Sequence, residues 1–406
     1  MPGPLSHLRV LDLSRILAGP WAGQLLADLG ADVIKVERPG AGDDTRAWGP
    51  PFLKDKQGAD TREAGYYLAV NRAKRSITVN LDTTEGQRIV RELAATSDVL
   101  LENYKVGTLA KFGLSYADLK KINPRLIYCS VTGFGQTGPR SHQVAYDFLI
   151  QAMGGLMSIT GERDDLPGGG PQKVGVPIVD LMTGMYAAVA VLAAVAKRSE
   201  TGQGDHIDIG MLDVQVSMLA NQAMNYLVSG KTPKRTGNAH PNIQPQQVFR
   251  CADGEMILVV GNDGQFAKFA EVVGHAEWMS DQRFATNAQR VRNQGVLLPM
   301  IAGILITQNR AHWVSLLEAA GVPCGAINAI PEVFEEPQVK AREMLRTAAH
   351  PLGGTVPLVA SPMRFAESPL AYDRAPPLLG EHSEEVLSGL GFDAEQIARL
   401  RTAGII

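Results

Sequence analysis

The chain of 406 residues is long enough for two or three domains that each bury a core. Hydrophobic residues make up 45% of it and charged residues 20%, the usual composition of a soluble globular protein. The net charge of −3, without a basic stripe, argues against a nucleic-acid partner, so any anionic ligand must be held by a few local cations.

Three features bear on the location of the protein. The N-terminal residues 1–14 enter a strand-like run without a signal pattern. Cys129, Cys251 and Cys324 are far apart and lack metal-site spacing, which favours free thiols in a reducing cytoplasm. The longest uncharged run, Leu181–Ala196, is short for a bilayer span and favours a buried helix. We expect a cytoplasmic protein with no membrane segment and no metal.

The first half of the chain alternates strand-like and helix-like segments. The strand-like runs are 9–14, 31–37, 75–81, 98–103 and 125–135, and the helix-like runs are 21–30, 84–97 and 115–122. This alternation predicts a Rossmann-like domain whose mostly parallel sheet is covered on both faces. The loop after the first strand lacks the G-x-G-x-x-G of a dinucleotide site, so the predicted ligand carries phosphate but is not NAD.

The second half of the sequence predicts that the chain leaves the first domain, forms a second domain and then returns to the first. A long helix follows Asp180, then a strand and a helix through Tyr226, and then an irregular linker or functional loop at 226–247. The Asp253-Gly254 pair between two strand-like runs indicates a hairpin, and helices follow it. We predict a smaller α+β domain at 248–333. Residues 1–225 and 334–406 then form the large domain, reached through the extended stretch Arg374–Gly380.

Asp180 is the sharpest candidate for chemistry. It lies between an apolar strand-like stretch and an apolar helix, which predicts a carboxylate at a helix N-terminus inside the protein. The positive end of the helix dipole would keep that carboxylate ionised, and a desolvated carboxylate is a nucleophile towards an activated acyl group. The alternative is that Asp180 only caps the helix, and its spacing by itself favours the cap.

Several polar residues have both a ligand-binding and a structural interpretation. Arg38 could meet a phosphate or pair with a nearby aspartate such as Asp44. Asn103, at a strand end, could bind a ligand amide or cap the turn. The glycine-containing run 151–161 could offer backbone amides to an oxyanion or form a surface turn. His240 is the most site-like histidine, but no second metal ligand accompanies it.

Taken together, ordered motifs along the chain resemble the class III CoA-transferases of the formyl-CoA transferase type. They include LAGPWAGQLLADLGADVIKVERPGAGDDTR, NRAKRSITVNL, ENY, SVTGFGQTGP, GVPIVDLMTG, GNAHPNI and PLLGEHSEEVL. ERPGAGDDTRAWGPPF and YYLAVNRAKRSI carry a closer likeness to the branch that exchanges CoA between succinate and hydroxymethylglutarate or glutarate. The glycine-rich loop of formyl-CoA transferase has no counterpart here, since GNAHPNIQPQ occupies its region, and this weakens an oxalate or formate assignment.

The resemblance implies roles for individual residues. The nucleophile of the family falls on Asp180. Positions that contact CoA fall on Arg15, Ile16, Ala18, Arg38, Val79, Leu81, Asn103, Tyr104 and Lys111. Lys111 replaces an arginine of formyl-CoA transferase, which keeps the charge but loses bidentate geometry. Candidates for contact with the second substrate are Arg72, Tyr146, Asp147 and His240.

The resemblance also implies a reaction and an assembly. Acyl exchange would pass through an aspartyl anhydride and an aspartyl-CoA thioester, with CoA as a substrate and no permanently bound cofactor, in an interlocked homodimer. A rival is a 2-methylacyl-CoA racemase, but the racemase histidine falls on Tyr146, whose phenol with a pKa of about 10 is a poor proton shuttle. A third hypothesis is a non-catalytic acyl-CoA-binding protein.

Overall fold

The structure is a computed structural model that describes residues 3–406. The chain divides into a larger unit, formed by residues up to Leu156, Val174–Met224 and Pro337–Ile406, and a smaller unit, formed by Met157–Lys173 and Asn225–Glu336. Residues 157–173 and 226–247 therefore group with the smaller unit, which differs from the segments predicted from the sequence.

Thirteen strands occur within residues 3–406. They are β1 Arg9–Asp12, β2 Asp32–Glu37, β3 Phe52–Lys54, β4 Asp60–Ala64, β5 Arg75–Thr78, β6 Val99–Glu102, β7 Ile127–Thr132, β8 His206–Gly210, β9 Gln246–Cys251, β10 Gly254–Val259, β11 Cys324–Ala326, β12 Leu345–His350 and β13 Gly354–Val359. The five strands predicted in the first half correspond to β1, β2, β5, β6 and β7.

Seventeen α-helices occur in the same residues. They are α1 Ala18–Asp28, α2 Gly65–Leu68, α3 Thr84–Ala95, α4 Tyr116–Ile122, α5 Asp147–Met153, α6 Leu156–Ile159, α7 Ile178–Thr201, α8 Met211–Met218, α9 Ala220–Ser229, α10 Asp263–Val272, α11 Asn287–Arg292, α12 Gln294–Leu305, α13 Arg310–Ala319, α14 Ile330–Glu335, α15 Pro337–Ala341, α16 Ser383–Gly389 and α17 Ala394–Thr402. Three short 3-10 turns lie at Asp44–Ala47, Leu109–Phe112 and Ala276–Met279.

A six-stranded sheet organises the larger unit. Its order is β5-β2-β1-β6-β7-β8, and every neighbouring pair is parallel. From β1, the chain first adds β2 and then β5 towards one edge of the sheet. It then returns to place β6 beside β1, and adds β7 and β8 towards the other edge. This is the strand order of a Rossmann fold, with the switch point between β1 and β6, and it confirms the predicted parallel sheet. Ligands of such sheets bind outside the carboxyl ends of the strands at that point.

Both faces of this sheet are covered. Successive residues of a strand point to opposite faces, so Val10 packs on the face of α1 and α7, whereas Leu11 packs on the face of α3. The C-terminal helices α16 and α17 join that second face, through side chains such as Val386 and Ile397. The end of the chain therefore completes the core of the larger unit.

The long helix α7 is only partly buried, which corrects the prediction of a buried helix. It lies so close to α1 that a side chain at Gly184 would meet the Ala18 carbonyl oxygen at 2.6 Å. On its other face, Met185 and Val189 are 41% and 59% exposed. Its length and its mean hydropathy of 2.0 would also suit a membrane span, a property that the core helices of globular proteins share.

The smaller unit has its own core. β9, β10 and β11 form an antiparallel sheet. The β9–β10 hairpin turns at Ala252-Asp253, so the predicted hairpin is present, and Gly254 of the predicted pair is the first residue of β10. Helices from α10 to α13 cover this sheet with an aromatic cluster that includes Phe266, Phe269 and Trp278. This is an α+β arrangement. Cys129, Cys251 and Cys324 form no disulfides, as predicted.

Candidate active site

The chain segments that leave β1 and β6 meet at the switch point of the sheet. Asn103 directly follows β6, and its side-chain oxygen accepts a hydrogen bond from the Arg15 backbone N–H at 2.8 Å. Its side-chain nitrogen donates to the Arg15 carbonyl at 2.6 Å. The Asn103 amide is thus occupied by the chain itself, and its observed role is to fix the loop after β1.

The loop after β1 is held in an unusual conformation. Ile16 has a φ of 71°, a region that β-branched residues rarely adopt. Its N–H donates to both carboxylate oxygens of Asp43 at 3.2 Å. Burial alone would raise the pKa of Asp43, but the Lys35 ammonium 2.9 Å away outweighs it and lowers that pKa to about 2. The strained loop is therefore anchored by a permanently charged group, which is typical of a preorganised ligand site.

A first cavity, here called the Arg38 cavity, opens beside this loop. It has a volume of about 160 Å³, and its lining includes Arg15, Arg38, Val79, Leu81 and Tyr104. Arg15 and Arg38 both pair with Asp44, at 3.3 and 3.2 Å, and all three side chains are more than a third exposed. Such exposed pairs are weak, so a phosphate could replace the aspartate between the two guanidinium groups. Lys111 is exposed in the turn beside Phe112 of the lining.

A second cavity, here called the Asp180 cavity, shares Arg15 and Tyr104 with the first. Its volume is about 270 Å³. The lining brings together the following predicted residues: Arg15, Ile16, Ala18, Asn103, Tyr104, Tyr146 and Asp180. The Tyr146 side chain is 62% exposed at its rim. Candidate CoA-binding positions and the candidate nucleophile thus line one continuous surface.

Asp180 lies in the first turn of α7 but does not cap it. The N-cap is Pro177, and residues 174–177 are irregular rather than a strand, which corrects both predictions. The backbone N–H groups at this helix end, which have no partner within the helix, are instead capped by Asp147. The Asp147 Oδ2 accepts hydrogen bonds from the Val179 N–H at 2.7 Å and from the Asp180 N–H at 3.4 Å. Gln151 donates to the other Asp147 oxygen and accepts from the Val174 N–H.

The Asp180 carboxylate itself has no hydrogen-bond partner within residues 3–406, and Asp180 is only 9% exposed. Burial, and then the nearby carboxylate of Asp147, raise the pKa of Asp180 to about 7. This corrects the expectation that the helix end keeps it ionised, since Asp147 already occupies that end. A buried carboxyl group that titrates near neutrality is typical of functional sites.

The sequence did not point to Tyr66. This tyrosine lies in α2, and its pKa is raised to about 12 by burial and then by the carboxylates of Asp180 and Asp147. The phenol therefore remains a hydrogen-bond donor at neutral pH beside the candidate nucleophile. Its ring packs edge-on against Trp48, with ring centres 5.1 Å apart. No motif around Tyr66 marks it, and only the fold brings it within electrostatic reach of Asp180.

Two of the candidate second-substrate residues are not among the residues that line the Asp180 cavity. Arg72 is buried and forms a bidentate pair with Asp28, at 2.7 and 2.5 Å, while it also donates to the Val359 carbonyl. Its guanidinium is thus committed to structure and does not line the Asp180 cavity. His240 belongs to the smaller unit, where its Nδ1 accepts from the Asn242 N–H at 3.1 Å.

The glycine turn after α5 does not offer the predicted oxyanion donors. The N–H of Gly154 donates to the Ile150 carbonyl and that of Gly155 to the Ala152 carbonyl. A side chain at Gly154 would collide with Gln215, so this glycine allows α5 and α8 to pack closely. No cluster of three or more His, Cys, Asp or Glu side chains suited to a metal occurs in residues 3–406.

The sequence and the fold were compared with known proteins. The model of CoA-transferase family III matches residues 5–383. The chain belongs to this family. It is 49% identical to a succinate–glutarate CoA-transferase of Agrobacterium fabrum, over 95% of this chain and 96% of the relative. It is 43% identical to the mouse succinyl-CoA:glutarate CoA-transferase, over 99% of this chain and 90% of the relative.

A solved structure agrees with these relatives. The CAIB/BAIF family protein from Brucella suis superposes with a TM-score of 0.84 and 48% identity, covering 96% of this chain and 100% of the other. The resemblance drawn from the motifs and the predicted enzyme class are confirmed: this protein is a class III CoA-transferase. The racemase and the non-catalytic alternatives are therefore set aside.

Proposed function

We propose that this CoA-transferase moves CoA from succinyl-CoA to a dicarboxylic acid of the glutarate type, with Asp180 as the nucleophile. The names of the two relatives supply the donor and the acceptor. One observation carries the catalytic assignment. The Asp180 carboxylate is buried, lacks a hydrogen-bond partner within residues 3–406, and lines the cavity that the strained loop at Ile16 also lines.

The first half of the reaction cleaves the donor thioester. The ionised Asp180 carboxylate attacks the thioester carbonyl of succinyl-CoA, the C–S bond breaks, and a mixed aspartyl–succinyl anhydride and CoA thiolate form. The thiolate then attacks the aspartyl carbonyl, which releases succinate and leaves an aspartyl-CoA thioester. A covalent path divides a difficult exchange between two weak nucleophiles into easier steps.

The second half repeats these steps in reverse with the acceptor. A carboxylate of glutarate attacks the aspartyl thioester, and CoA thiolate departs as a new anhydride forms. The thiolate attacks the glutaryl carbonyl, which yields glutaryl-CoA and restores the Asp180 carboxylate. Atoms and charge balance over the cycle without a bound cofactor, so CoA enters and leaves only as a substrate.

The side chains of the two cavities divide the binding work in this proposal. The phosphates of CoA replace Asp44 as the partner of Arg15 and Arg38, and Lys111 adds charge nearby. Val79 and Leu81 line the Arg38 cavity. Tyr104 also lines the Asp180 cavity, where Ile16, Ala18 and Asn103 lie. Asp147 raises the pKa of Asp180, the Tyr66 phenol lies within electrostatic reach of Asp180, and Tyr146 lines the same cavity as Asp180.

The protein is also proposed to act as an interlocked homodimer in the cytoplasm. Support comes from exposed apolar side chains on three neighbouring helices of the larger unit. They are Phe148, Leu149 and Met153 on α5, Met185, Tyr186 and Val189 on α7, and Val216 on α8. A surface of this kind usually marks a protein–protein contact.

The substrate assignment is tested by incubating the purified enzyme with succinyl-CoA and single carboxylic acids, and measuring each CoA product by mass spectrometry. Glutarate is expected to give glutaryl-CoA at a higher kcat/KM than acetate or oxalate. A preference for a monocarboxylate would contradict the acceptor class while leaving the Asp180 mechanism intact. Release of free CoA without any acyl-CoA product would contradict transfer itself.

A further inference from the structure

A third cavity lies in the larger unit and shares no lining residue with the Arg38 and Asp180 cavities. Its volume is about 400 Å³. Its ionisable lining residues come from the β3–β4 connection, from the end of β12, and from the stretch before α16: Lys56, His350, Asp373, Arg374, Glu381 and His382. Glu381 and His382 belong to the motif PLLGEHSEEVL, but the transfer mechanism uses no residue of this cluster.

His350, which lines this cavity, carries a buried hydrogen-bond donor. The N–H groups of Leu352 and Gly353 both point at its Nδ1, at 3.3 and 3.4 Å. A ring nitrogen that accepts hydrogen bonds carries no hydrogen, so the hydrogen of the neutral imidazole resides on Nε2. That Nε2 is buried and has no partner within residues 3–406. Burial also lowers the pKa of His350, so the neutral donor form prevails.

The imidazole of His382 has the same tautomer as that of His350. Its Nδ1 accepts from the Ser76 N–H at 3.3 Å, which again places the hydrogen on Nε2. Burial lowers the pKa of His382, and this effect outweighs the opposing carboxylate of Glu381. Two imidazole N–H donors with fixed tautomers thus line one cavity.

Two cations line it as well. Neither Lys56 nor Arg374 forms an ion pair with any residue of the described chain, 3–406. The carboxylates of Asp373 and Glu381 also line the cavity, and Glu381 accepts from the Leu378 N–H at 2.8 Å. The two acids balance the two cations. The site is therefore rich in donors but nearly neutral, which suits one oxyanionic head group better than a polyanion.

We propose that this cavity binds a small molecule through one carboxylate or phosphate head group, held by Arg374 and Lys56 with the lining imidazoles of His350 and His382. Oxyanions present the acceptors that these donors lack, and arginine binds them in bidentate fashion. A cavity needs a volume of about 10–15 Å³ to hold a single bridging water. The cavity is more than ten times larger, so one water satisfying His350 does not explain it.

Binding at this site is expected to affect the Arg38 cavity through β5. The Arg374 carbonyl accepts from the Ala73 N–H at 3.1 Å, and the Ser76 carbonyl accepts from the His382 N–H at 2.9 Å. Val79 and Leu81, which follow β5, line the Arg38 cavity. A ligand that orders the segment from Arg374 to His382 against β5 therefore stabilises one wall of that cavity. The inference does not depend on the acyl chemistry proposed for Asp180.

The test is calorimetric titration of the CoA-saturated enzyme with inorganic phosphate and, separately, with glutarate. We expect saturable binding of one anion per chain at this cavity, in addition to any glutarate held at Asp180, and this binding should weaken at least tenfold in the double variant Lys56→Gln/Arg374→Gln. The matched control, Arg62→Gln/Lys268→Gln, removes two exposed cations elsewhere and should bind like the wild type. Binding of phosphate alone, or of glutarate alone, identifies the head group as phosphate or carboxylate.

Hydrogen exchange locates the bound anion, which matters because glutarate is also proposed to bind at Asp180. In the CoA-saturated wild type, the bound anion should slow exchange of the amides in 349–354 and 373–383, and the double variant should lose this protection. Absence of saturable binding of both anions would overturn the proposal. Equal binding by the double variant, or protection confined to other segments, would overturn it as well.

Discussion

Two regions of the larger unit bury carboxylates in opposite ways. Beneath the loop after β1, Asp12 pairs with Lys74 at 2.9 Å and Asp43 pairs with Lys35 at 2.9 Å, and all four side chains are fully buried. At the start of α7, Asp180 is nearly as buried but has no cation and lies beside a second carboxylate, Asp147.

The pKa values follow the partners rather than the burial. Burial would raise the pKa of both Asp12 and Asp43, but the lysines outweigh it, so both values fall below the ordinary range of aspartate. Without such a partner, burial raises the pKa of Asp180 to about 7. Paired carboxylates hold the ligand loop in place, whereas an unpaired carboxylate keeps the reactivity that pairing would remove.

The largest effect on CoA transfer is expected when the charge of Asp180 is removed. We expect Asp180→Asn to lower kcat for CoA transfer by at least about a thousandfold, because the amide cannot form the anhydride. CoA binding, measured by calorimetry, should stay within a few-fold of wild type. The control is Asp213→Asn, an exposed aspartate in the first turn of α8, which should retain full activity. Undiminished transfer by Asp180→Asn would contradict the nucleophile assignment.

The same variant should be more stable than the wild type at alkaline pH. An aspartate pKa of about 7 in the folded state, against 3.8 in the unfolded chain, means that the folded state binds the proton more tightly. The free energy of unfolding therefore falls as pH rises from about 4 to 7, by at most about 4 kcal/mol. Urea unfolding should show Asp180→Asn gaining stability over wild type at pH 8 but not at pH 4. An equal difference at both pH values would exclude the raised pKa.

Breaking a pair in the network should cost stability instead. Lys74→Met leaves Asp12 buried without its main cation, and the free energy of unfolding should fall by about 3–5 kcal/mol in urea titration. Lys54→Met is the matched control, because its pair with Asp60 is exposed and should matter by less than about 1 kcal/mol. Similar losses in the two variants would show that burial does not distinguish these pairs.

Arg38 tests the CoA end of the site with a smaller effect. Arg38→Gln should weaken CoA binding about tenfold, since one charge-assisted contact with phosphate is lost. The loss should diminish at high salt, because the side chain is 58% exposed. The control Arg62→Gln should bind CoA normally. Calorimetry that finds equal affinity in both variants would place the phosphates elsewhere.

The smallest expected effect is a shift in the pH dependence of kcat/KM when the charge of Asp147 is removed. Asp147→Asn keeps an oxygen that can cap α7 but removes the charge that helps to raise the pKa of Asp180. The acid limb of the kcat/KM profile, expected near pH 7 in the wild type, should move to lower pH by up to about one unit. Asp213→Asn should leave the midpoint in place. A midpoint that does not move in Asp147→Asn would leave burial as the sole cause of the raised pKa.

Much of the larger fold was predictable because its signals are local. Apolar strand-like runs alternate with helical ones, and this pattern located five strands of the sheet. The Asp253-Gly254 pair located a hairpin in the same way. The exposed face of α7 was not predictable, since an apolar sequence does not reveal which of its residues the rest of the chain covers.

The site was less predictable because its decisive contacts are distant in sequence. Asp180 was found as a candidate, but the cap of its helix comes from Asp147 and could not be read from neighbouring residues. Arg72 was a candidate contact with the second substrate, yet Asp28 occupies its guanidinium. Tyr66 carries no motif at all and reaches Asp180 only through the fold.

Covalent acylation of Asp180 can be observed directly by trapping the acylated carboxylate. The enzyme is incubated with succinyl-CoA, quenched with hydroxylamine, digested and mapped by peptide mass spectrometry. A hydroxamate is expected on Asp180, absent when succinyl-CoA is omitted and absent in Asp180→Asn. A hydroxamate on another carboxylate, or complete CoA transfer with no trapped residue under the same conditions, would contradict the mechanism.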